Sequence, residues 1–360
     1  MSGPTKEQVI QQLRKVHDPE LHKDLVSLDM IKHVSVAEGT VNVHVELTTP
    51  ACPMKGQISD DVRAAVQALE GVREVNVEFS ARVRQAARST ADLPGVKNVL
   101  AVGAGKGGVG KSSAAVMLAV GLAREGALVG LLDADIYGPS IPTMMGVPDA
   151  RPEVSGEAML PVTACGVKLV SIGFLLQPEQ AVVWRGPMVH GAVTQFLQQV
   201  EWGELDYLVV DLPPGTGDVP LTLAQAIPFL SGAVIICTPQ DVALADARRA
   251  VRMYEQLKVG CLGIIENMSY YICPKCGNRD EIFAHGGAKV AAREMGVPFL
   301  GSIPLNGQLR QFADGGTPEK YFTGTDEKVR EAIEGIVRAT AAQVSLRSAG
   351  QADQPTLSIE

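Results

Sequence analysis

The run Gly105-Lys106-Gly107-Gly108-Val109-Gly110-Lys111-Ser112-Ser113 has the residue types and spacing of a loop that holds phosphate. In the G-x-x-x-x-G-K-S pattern the glycines let backbone N–H groups turn inward around a triphosphate, Lys111 reaches the outer phosphates and the Ser112 hydroxyl can ligate Mg²⁺. The pattern carries this chemistry only between a strand and a helix. Residues 99–103 read as a buried strand and 114–123 as a helix, so the context is met. Lys106 is a second cation inside the loop. Lys111 already serves the outer phosphates, so Lys106 needs another task.

Two further runs end apolar strands in carboxylates, at the strand ends where a doubly wound parallel sheet gathers its ligands. Residues 128–132 lead into Asp133-Ala134-Asp135 and then Ile136-Tyr137-Gly138-Pro139-Ser140-Ile141-Pro142. Residues 206–211, Asp-Tyr-Leu-Val-Val-Asp, lead into Leu212-Pro213-Pro214-Gly215-Thr216-Gly217-Asp218. A carboxylate at either end can orient water or hold Mg²⁺, and the Gly-Pro turns can move with the state of the nucleotide. Asp211 is the expected Mg²⁺-side carboxylate.

A different chemistry is written in Cys273-Pro274-Lys275-Cys276-Gly277. Two thiolates three residues apart on a tight turn can grip one soft metal centre from the same side. Two ligands are half of a tetrahedral zinc site or a four-iron cluster. The other cysteines, Cys52, Cys165, Cys237 and Cys261, form no second pair at ligand spacing. Cys237 and Cys261 sit in apolar strand-like runs, where a thiol packs as a small hydrophobe. A two-fold homodimer would bring the same pair from each chain to its axis and complete the set.

Taken in order, the loop, Asp-Ala-Asp-Ile-Tyr-Gly-Pro-Ser-Ile-Pro, Asp-Leu-Pro-Pro-Gly-Thr-Gly-Asp, Glu-Asn-Met-Ser and Cys-Pro-Lys-Cys-Gly resemble the Mrp/ApbC family of iron–sulfur cluster carriers across residues 96–343. The K-G-G-V-G-K-S core resembles the deviant Walker A type. The resemblance implies a P-loop NTPase fold and ATP with Mg²⁺ at a slow hydrolytic site. It also implies a homodimer that bridges a [4Fe–4S] cluster through Cys273 and Cys276 and delivers it to apoproteins. It makes Lys106 a lysine that reaches the facing subunit's nucleotide, Lys111 and Ser112 the phosphate and Mg²⁺ residues, Asp135 and Asp211 the switch carboxylates, and Asn267 a contact to the adenine base.

Residues 1–81 form a separate unit. Helical spacing at 7–16 and 58–69, an alternating hairpin at 31–36 and 40–47 around Glu38-Gly39, and a strand at 72–79 predict a small α+β domain. His17-Asp18-Pro19-Glu20, Leu28-Asp29-Met30-Ile31 and the segment from Thr48 to Met54 resemble the MIP18-type domain of iron–sulfur assembly proteins. Cys52, on a Pro-flanked loop before a helix, is an activated thiol, a transient cluster ligand or a packed structural cysteine. Residues 82–95 read as a linker and 344–360 as a disordered tail.

Composition sets the outer limits. At 360 residues and 46% hydrophobic content the chain can fill two cores, and no apolar run is long enough to span a membrane. Six cysteines with one close pair suit a reducing compartment, and the opening residues lack a signal-peptide pattern, so a cytoplasmic protein is expected. A net charge of −8 argues against a nucleic-acid surface. The competing reading is a partitioning-type nucleotide switch whose cysteine pair binds zinc or is structural. A thioredoxin-like role is disfavoured because the pair lacks a strand-to-helix setting.

Overall fold

Strict alternation of β-branched residues with polar ones in 31–47 makes a hairpin, and the computed structural model shows it as β1 (Ile31–Ala37) antiparallel to β2 (Thr40–Leu47). Glu38 and Gly39 both take positive φ at the turn, the geometry that a two-residue hairpin requires. The structure describes residues 3–85, 93–136, 138–156, 158–174, 186–217, 221, 224, 225, 227, 229–273 and 275–352. Two units are present, Met1–Arg84 with Ser345–Glu360, and Gln85–Val344.

In the first unit, helix α1 (Lys6–Leu13) opens with a complete capping box between Thr5 and Gln8, so two of its free N–H groups are satisfied by side chains. Helix α2 (Lys55–Gln67) presents Ile58, Val62 and Val66 at helical spacing, all fully buried. It is the crossover between β2 and β3 (Glu74–Ala81), which run parallel in a three-stranded sheet of order β1-β2-β3. Val9, Leu13, Val41, Val43 and Val45 complete its core. Cys52 is buried in that core, and burial pushes its thiol up to about 11. Of the three roles open to it, the packed thiol is the one the fold provides.

The second unit is built on strands that, apart from the half-buried edge strand at 299–302, are buried along nearly their whole length, the pattern of a parallel sheet covered on both faces. These are β4 (Val99–Ala104), β5 (Val129–Asp133), β9 (Val167–Ser171), β10 (Tyr207–Asp211), β11 (Gly232–Cys237), β12 (Cys261–Glu266) and β15 (Phe299–Ser302). With β8 (Val162–Ala164) they form one sheet of order β15-β12-β11-β4-β10-β5-β9-β8, parallel except for the β8–β9 edge. A small hairpin, β6 (Glu153–Ser155) with β7 (Ala158–Leu160), precedes β8. A second hairpin, β13 (Tyr271–Ile272) with β14 (Arg279–Asp280), carries the cysteine pair.

The chain order places the chemistry. From β4 the chain runs into helix α3 (Lys111–Arg124) and skips a strand position to reach β5, and β10 later fills the gap. Asp211 of β10 therefore lies in register with Val102 of β4 and Asp133 of β5. Two strands separated by about 75 residues end side by side because of the sheet's topology, which no local pattern encodes.

The tail expectation needs correction. The helix Glu327–Ala352 runs through residues 344–352, which were expected to be disordered, and residues 353–360 lie outside those described. Its buried stripe of Val329, Ile333, Ile336 and Val337 continues in Ala341, Ala342 and Val344, small side chains that carry little hydropathy but pack closely. Ala, Gln, Leu and Arg also have high helix propensity. Of the expected linker, residues 86–92 lie outside those described.

Candidate functional site: a phosphate loop and a two-cysteine hairpin

The loop 105–112 turns on residues that only glycine suits. At Gly105 a Cβ would collide with the Asp246 backbone in the helix Asp241–Gln256, so that helix can pack directly on the loop. Gly110 has φ +86° and would collide with the Asn267 amide. Lys106, Gly107, Gly108, Gly110, Lys111, Ser112 and Ser113 line an open cleft of about 480 Å³, closed on its other sides by Asp135, Ser140, Met144 and Pro214. Val109 is buried behind the loop. Helix α3 begins at Lys111 with no side-chain cap, leaving its first N–H groups free for an anion.

Lys111 is buried, and its Nζ lies 2.6 Å from Asp211 Oδ1 and 3.4 Å from Asp135 Oδ2. The Ser112 hydroxyl donates to Asp211 Oδ2 at 2.6 Å. The cation that would meet phosphates is thus paired with two carboxylates. The donor set of one hydroxyl and two carboxylates, all oxygen and beside free loop amides, fits a hard divalent cation such as Mg²⁺.

Asp133 is fully buried beside this group. Its Oδ2 accepts from Ser171 Oγ at 2.9 Å and its Oδ1 from the Asp135 backbone N–H at 3.2 Å. Burial, then the neighbouring Asp211 charge, pushes its carboxyl up to about 8, so Asp133 holds the proton while Asp211 holds Lys111. Asp133 received no separate role from the sequence. Its part is to set the Asp135 turn through the backbone, and only its full burial, which is invisible in the sequence, reveals this. Asp211 leads into a turn whose Gly215 N–H bonds to Ala104 O at 2.8 Å, tying that turn to the loop's own strand. Tyr137 and Asp218 lie outside the described residues, as does Pro274. No hydrogen bond or ion pair to another described residue engages Lys106, which leaves its ammonium free at the cleft.

At the end of β12, Asn267 donates from Nδ2 to Val109 O at 2.8 Å and accepts the Met268 N–H on Oδ1 at 2.9 Å. It grips the back of the phosphate loop. Six residues later Cys273 opens the tight turn of the second hairpin, with Cys273 N–H on Asn278 O at 2.9 Å and Gly277 N–H on Cys273 O at 2.8 Å. Backbone N–H groups of Cys276 and Lys275, together with the Cys276 thiol, hold the Cys273 thiol below its ordinary range. Both cysteines reach the surface, and among the described residues no third His, Cys, Asp or Glu joins them as a metal ligand. The pair remains half of a tetrahedral set within one chain.

These environments separate the thiols by reactivity, because the thiolate is the nucleophile. Burial pushes Cys52 up to about 11 and Cys237 up to about 12, so at pH 8 each is almost wholly protonated. Peptide mapping after brief iodoacetamide treatment at pH 8 is expected to find Cys273 labelled first and Cys52 and Cys237 unlabelled until the chain is unfolded. Labelling of Cys52 ahead of Cys273 would contradict these assignments.

Against known proteins, residues 95–341 match the family model described as NUBPL iron-transfer P-loop NTPase, and residues 6–79 match that of an iron–sulfur cluster assembly protein. The iron–sulfur cluster carrier protein of Deinococcus radiodurans is 50% identical over 341 residues, covering 94% of this chain and 96% of its own length. That of Synechocystis is 48% identical, covering 95% of this chain and 98% of its own. A nucleotide-binding protein from Archaeoglobus fulgidus, solved in complex with ADP, superposes with a TM-score of 0.59 at 43% identity, over 64% of this chain and 91% of that one. Among the described residues no helix is long and apolar enough to cross a membrane. A phosphate loop with its carboxylates at the switch of a parallel sheet, a surface hairpin bearing two thiols, and these matches place this chain in the NUBPL family of iron-transfer P-loop NTPases.

Proposed function

We propose that this chain is a homodimeric, ATP-dependent carrier that holds a [4Fe–4S] cluster as cargo between two copies and passes it to apoproteins in the cytoplasm, with slow ATP hydrolysis gating the transfer. The observation that carries the reading is the surface hairpin with just two adjacent thiols, one held toward thiolate, in the same chain as a complete phosphate loop. A cargo site should be exposed and half-built in each protomer, because release must be possible and closure must depend on assembly. Anaerobic reconstitution with iron and sulfide is expected to give the broad visible charge-transfer band of an iron–sulfur cluster. Stoichiometric zinc with no visible band would instead support the partitioning-type switch.

At the nucleotide, the loop amides and Lys111 bind the phosphates, and Ser112, Asp211 and Asp135 hold Mg²⁺, which neutralises phosphate charge. Lys111, which lies against Asp211, would give up this carboxylate for phosphate oxygens, and Asp211 with Ser112 would hold the cation that supplies positive charge there. Asn267, whose amide has a second N–H beyond the one it gives to Val109 O, contacts the adenine base. Lys106 crosses to the nucleotide of the second copy and stabilises charge that develops in the transition state.

The trans role has a specific consequence. Lys106→Gln is expected to leave ATP affinity within about threefold of wild type while lowering turnover on the order of 100-fold, the scale of one lost transition-state charge contact. In mixed dimers, a Lys106→Gln chain paired with a Lys111→Ala chain separates the two arrangements. If Lys106 acts in trans, the one chain able to bind ATP still receives an intact Lys106 from its partner and turns over. An inactive mixed dimer would place Lys106 in cis.

A further inference from the structure

Glu266 is a fully buried carboxylate at the end of an apolar strand, and among the described residues the groups its carboxylate binds lie at the neck of the segment that carries the cysteines. On the outgoing leg, the Ser269 hydroxyl donates to Glu266 Oε1 at 2.5 Å. On the returning leg, His285 Nδ1 lies 2.6 Å from the same hydroxyl and 3.4 Å from Glu266 Oε1. Ser269 has one proton, which goes to the carboxylate, so His285 carries its proton on Nδ1 and donates to Ser269 Oγ. The backbone N–H groups of Gly286 and Ala288 also bond to Glu266, at 2.9 and 2.8 Å, which seats the carboxylate on the N-terminus of the helix Gly287–Met295. Residues 269 and 285 are thereby tied together, and the segment between them contains the hairpin with Cys273 and Cys276. A second layer lies above, where the Tyr270 ring meets His285 edge-on at 5.8 Å and the Arg279 guanidinium stacks over it at 4.1 Å. Ser269 is fully buried and sits between the acid and the imidazole, so it is not placed to act as a nucleophile.

The same segment is joined to the phosphate loop. Asn267, next to Glu266, holds Val109 O, and the chain from there to the hairpin is pinned at successive steps: Asn267 N–H on Cys237 O at 2.8 Å, Ser269 N–H on Ile303 O at 3.0 Å, and Leu305 N–H on Tyr270 O at 2.7 Å. Met268 takes a left-handed φ of 55°, uncommon for a side chain of its size, in the middle of this run. A segment pinned this densely transmits displacement as a unit. Val109 lies between Gly108 and Gly110, both at positive φ, and its carbonyl accepts from Asn267 Nδ2 while its neighbours line the cleft. Phosphates that draw the loop amides inward act directly on the carbonyl that Asn267 holds.

We propose that Ser269 and His285 are positioning residues whose clamp on Glu266 makes the cysteine hairpin respond to nucleotide in the phosphate loop of the same chain. The inference rests on the reading that this loop binds nucleotide and this hairpin is the cargo site, and it deepens that reading by naming the link between them. Because coupling between two sites is reciprocal, an occupied hairpin alters nucleotide affinity by the same factor. Without the clamp both sites persist, but the neck of the hairpin opens and the two become independent.

The test uses the full-length protein without iron, so its outcome does not depend on whether a cluster binds. Rates of iodoacetamide labelling at Cys273 and Cys276 are measured without nucleotide, with Mg-ADP and with a non-hydrolysable Mg-ATP analogue. In wild type, nucleotide is expected to change the rates by about fivefold or more, the lower end of typical coupling between sites. In Ser269→Ala and in His285→Phe, which keeps a ring on Tyr270 but lacks the Nδ1 donor, the ratio is expected to fall below about twofold while nucleotide affinity is unchanged. His285→Asn, whose side-chain amide can donate from the Nδ1 position, restores the ratio. The proposal is overturned if wild type shows no nucleotide effect, or if His285→Phe keeps the wild-type ratio. Since His285 is at the surface, its variants decide the matter even if Ser269→Ala does not fold.

Discussion

Lys111→Ala is expected to weaken ATP binding at least about 100-fold, because two or more charge-assisted hydrogen bonds to phosphate oxygens are lost at about 1.5–3 kcal/mol each. The loss is compounded by what remains. Without the ammonium, Asp211 and Asp135 face the triphosphate with one positive charge fewer between them. The nucleotide-free variant also changes. Asp211 is fully buried and loses its counter-ion, so burial raises its carboxyl and it takes up a proton on folding. A group whose folded pKa lies above its unfolded value stabilises the fold below the unfolded pKa, and that stability is lost as pH rises toward the folded pKa. The Lys111→Ala protein should therefore be relatively more stable near pH 5 than near pH 8 when compared with wild type. Isothermal titration with ATP and urea unfolding at the two pH values check both parts. Affinity within a few-fold of wild type would remove Lys111 from the phosphate site. Cluster binding is expected to survive, since the thiols lie in a separate segment.

The second large effect is at the hairpin. Cys273→Ala or Cys276→Ala, each alone, is expected to abolish the cluster on the whole dimer rather than halve it. Each substitution removes two of four protein ligands at the two-fold axis, and a cluster held by the remaining two would be open to solvent and labile. Cys237→Ala should instead cost stability through a small cavity in a buried strand and spare the cluster. Iron and acid-labile sulfide, measured on each variant after anaerobic reconstitution, distinguish these outcomes. Iron and sulfide near the wild-type level in Cys273→Ala would mean that Cys273 is not a ligand.

The sites were legible where chemistry is local in the chain. The phosphate loop is nine consecutive residues with a strand before it and a helix after it, and the cysteine pair is four residues on a tight turn. The hairpin at Glu38-Gly39 and the buried strands at 99, 129, 207, 232 and 261 were equally open to reading, since periodicity and turn residues reside within each segment. Relations made by the sheet were not. Nothing near Asp211 states that it will lie beside Asp133, and the pairing follows from β10 filling the gap between β4 and β5. His285 gives no local signal at all, since its partner on Ser269 lies across the cysteine segment. Glu266 had a readable one, a lone carboxylate closing the apolar run 261–265, and its meaning emerges only when its hydrogen bonds are seen. The helix through Ala352 escaped because Ala and Ser at its buried positions give a weak periodic signal.

The carrier role depends most on the cluster being shared between two copies. Sedimentation of the reconstituted protein, with iron and acid-labile sulfide determined across the boundary, tests this directly. The expected result is a dimer carrying one [4Fe–4S] cluster per two chains, with monomeric protein free of iron. A monomer that sediments with a full cluster would contradict it, and would require ligands beyond Cys273 and Cys276 within a single chain.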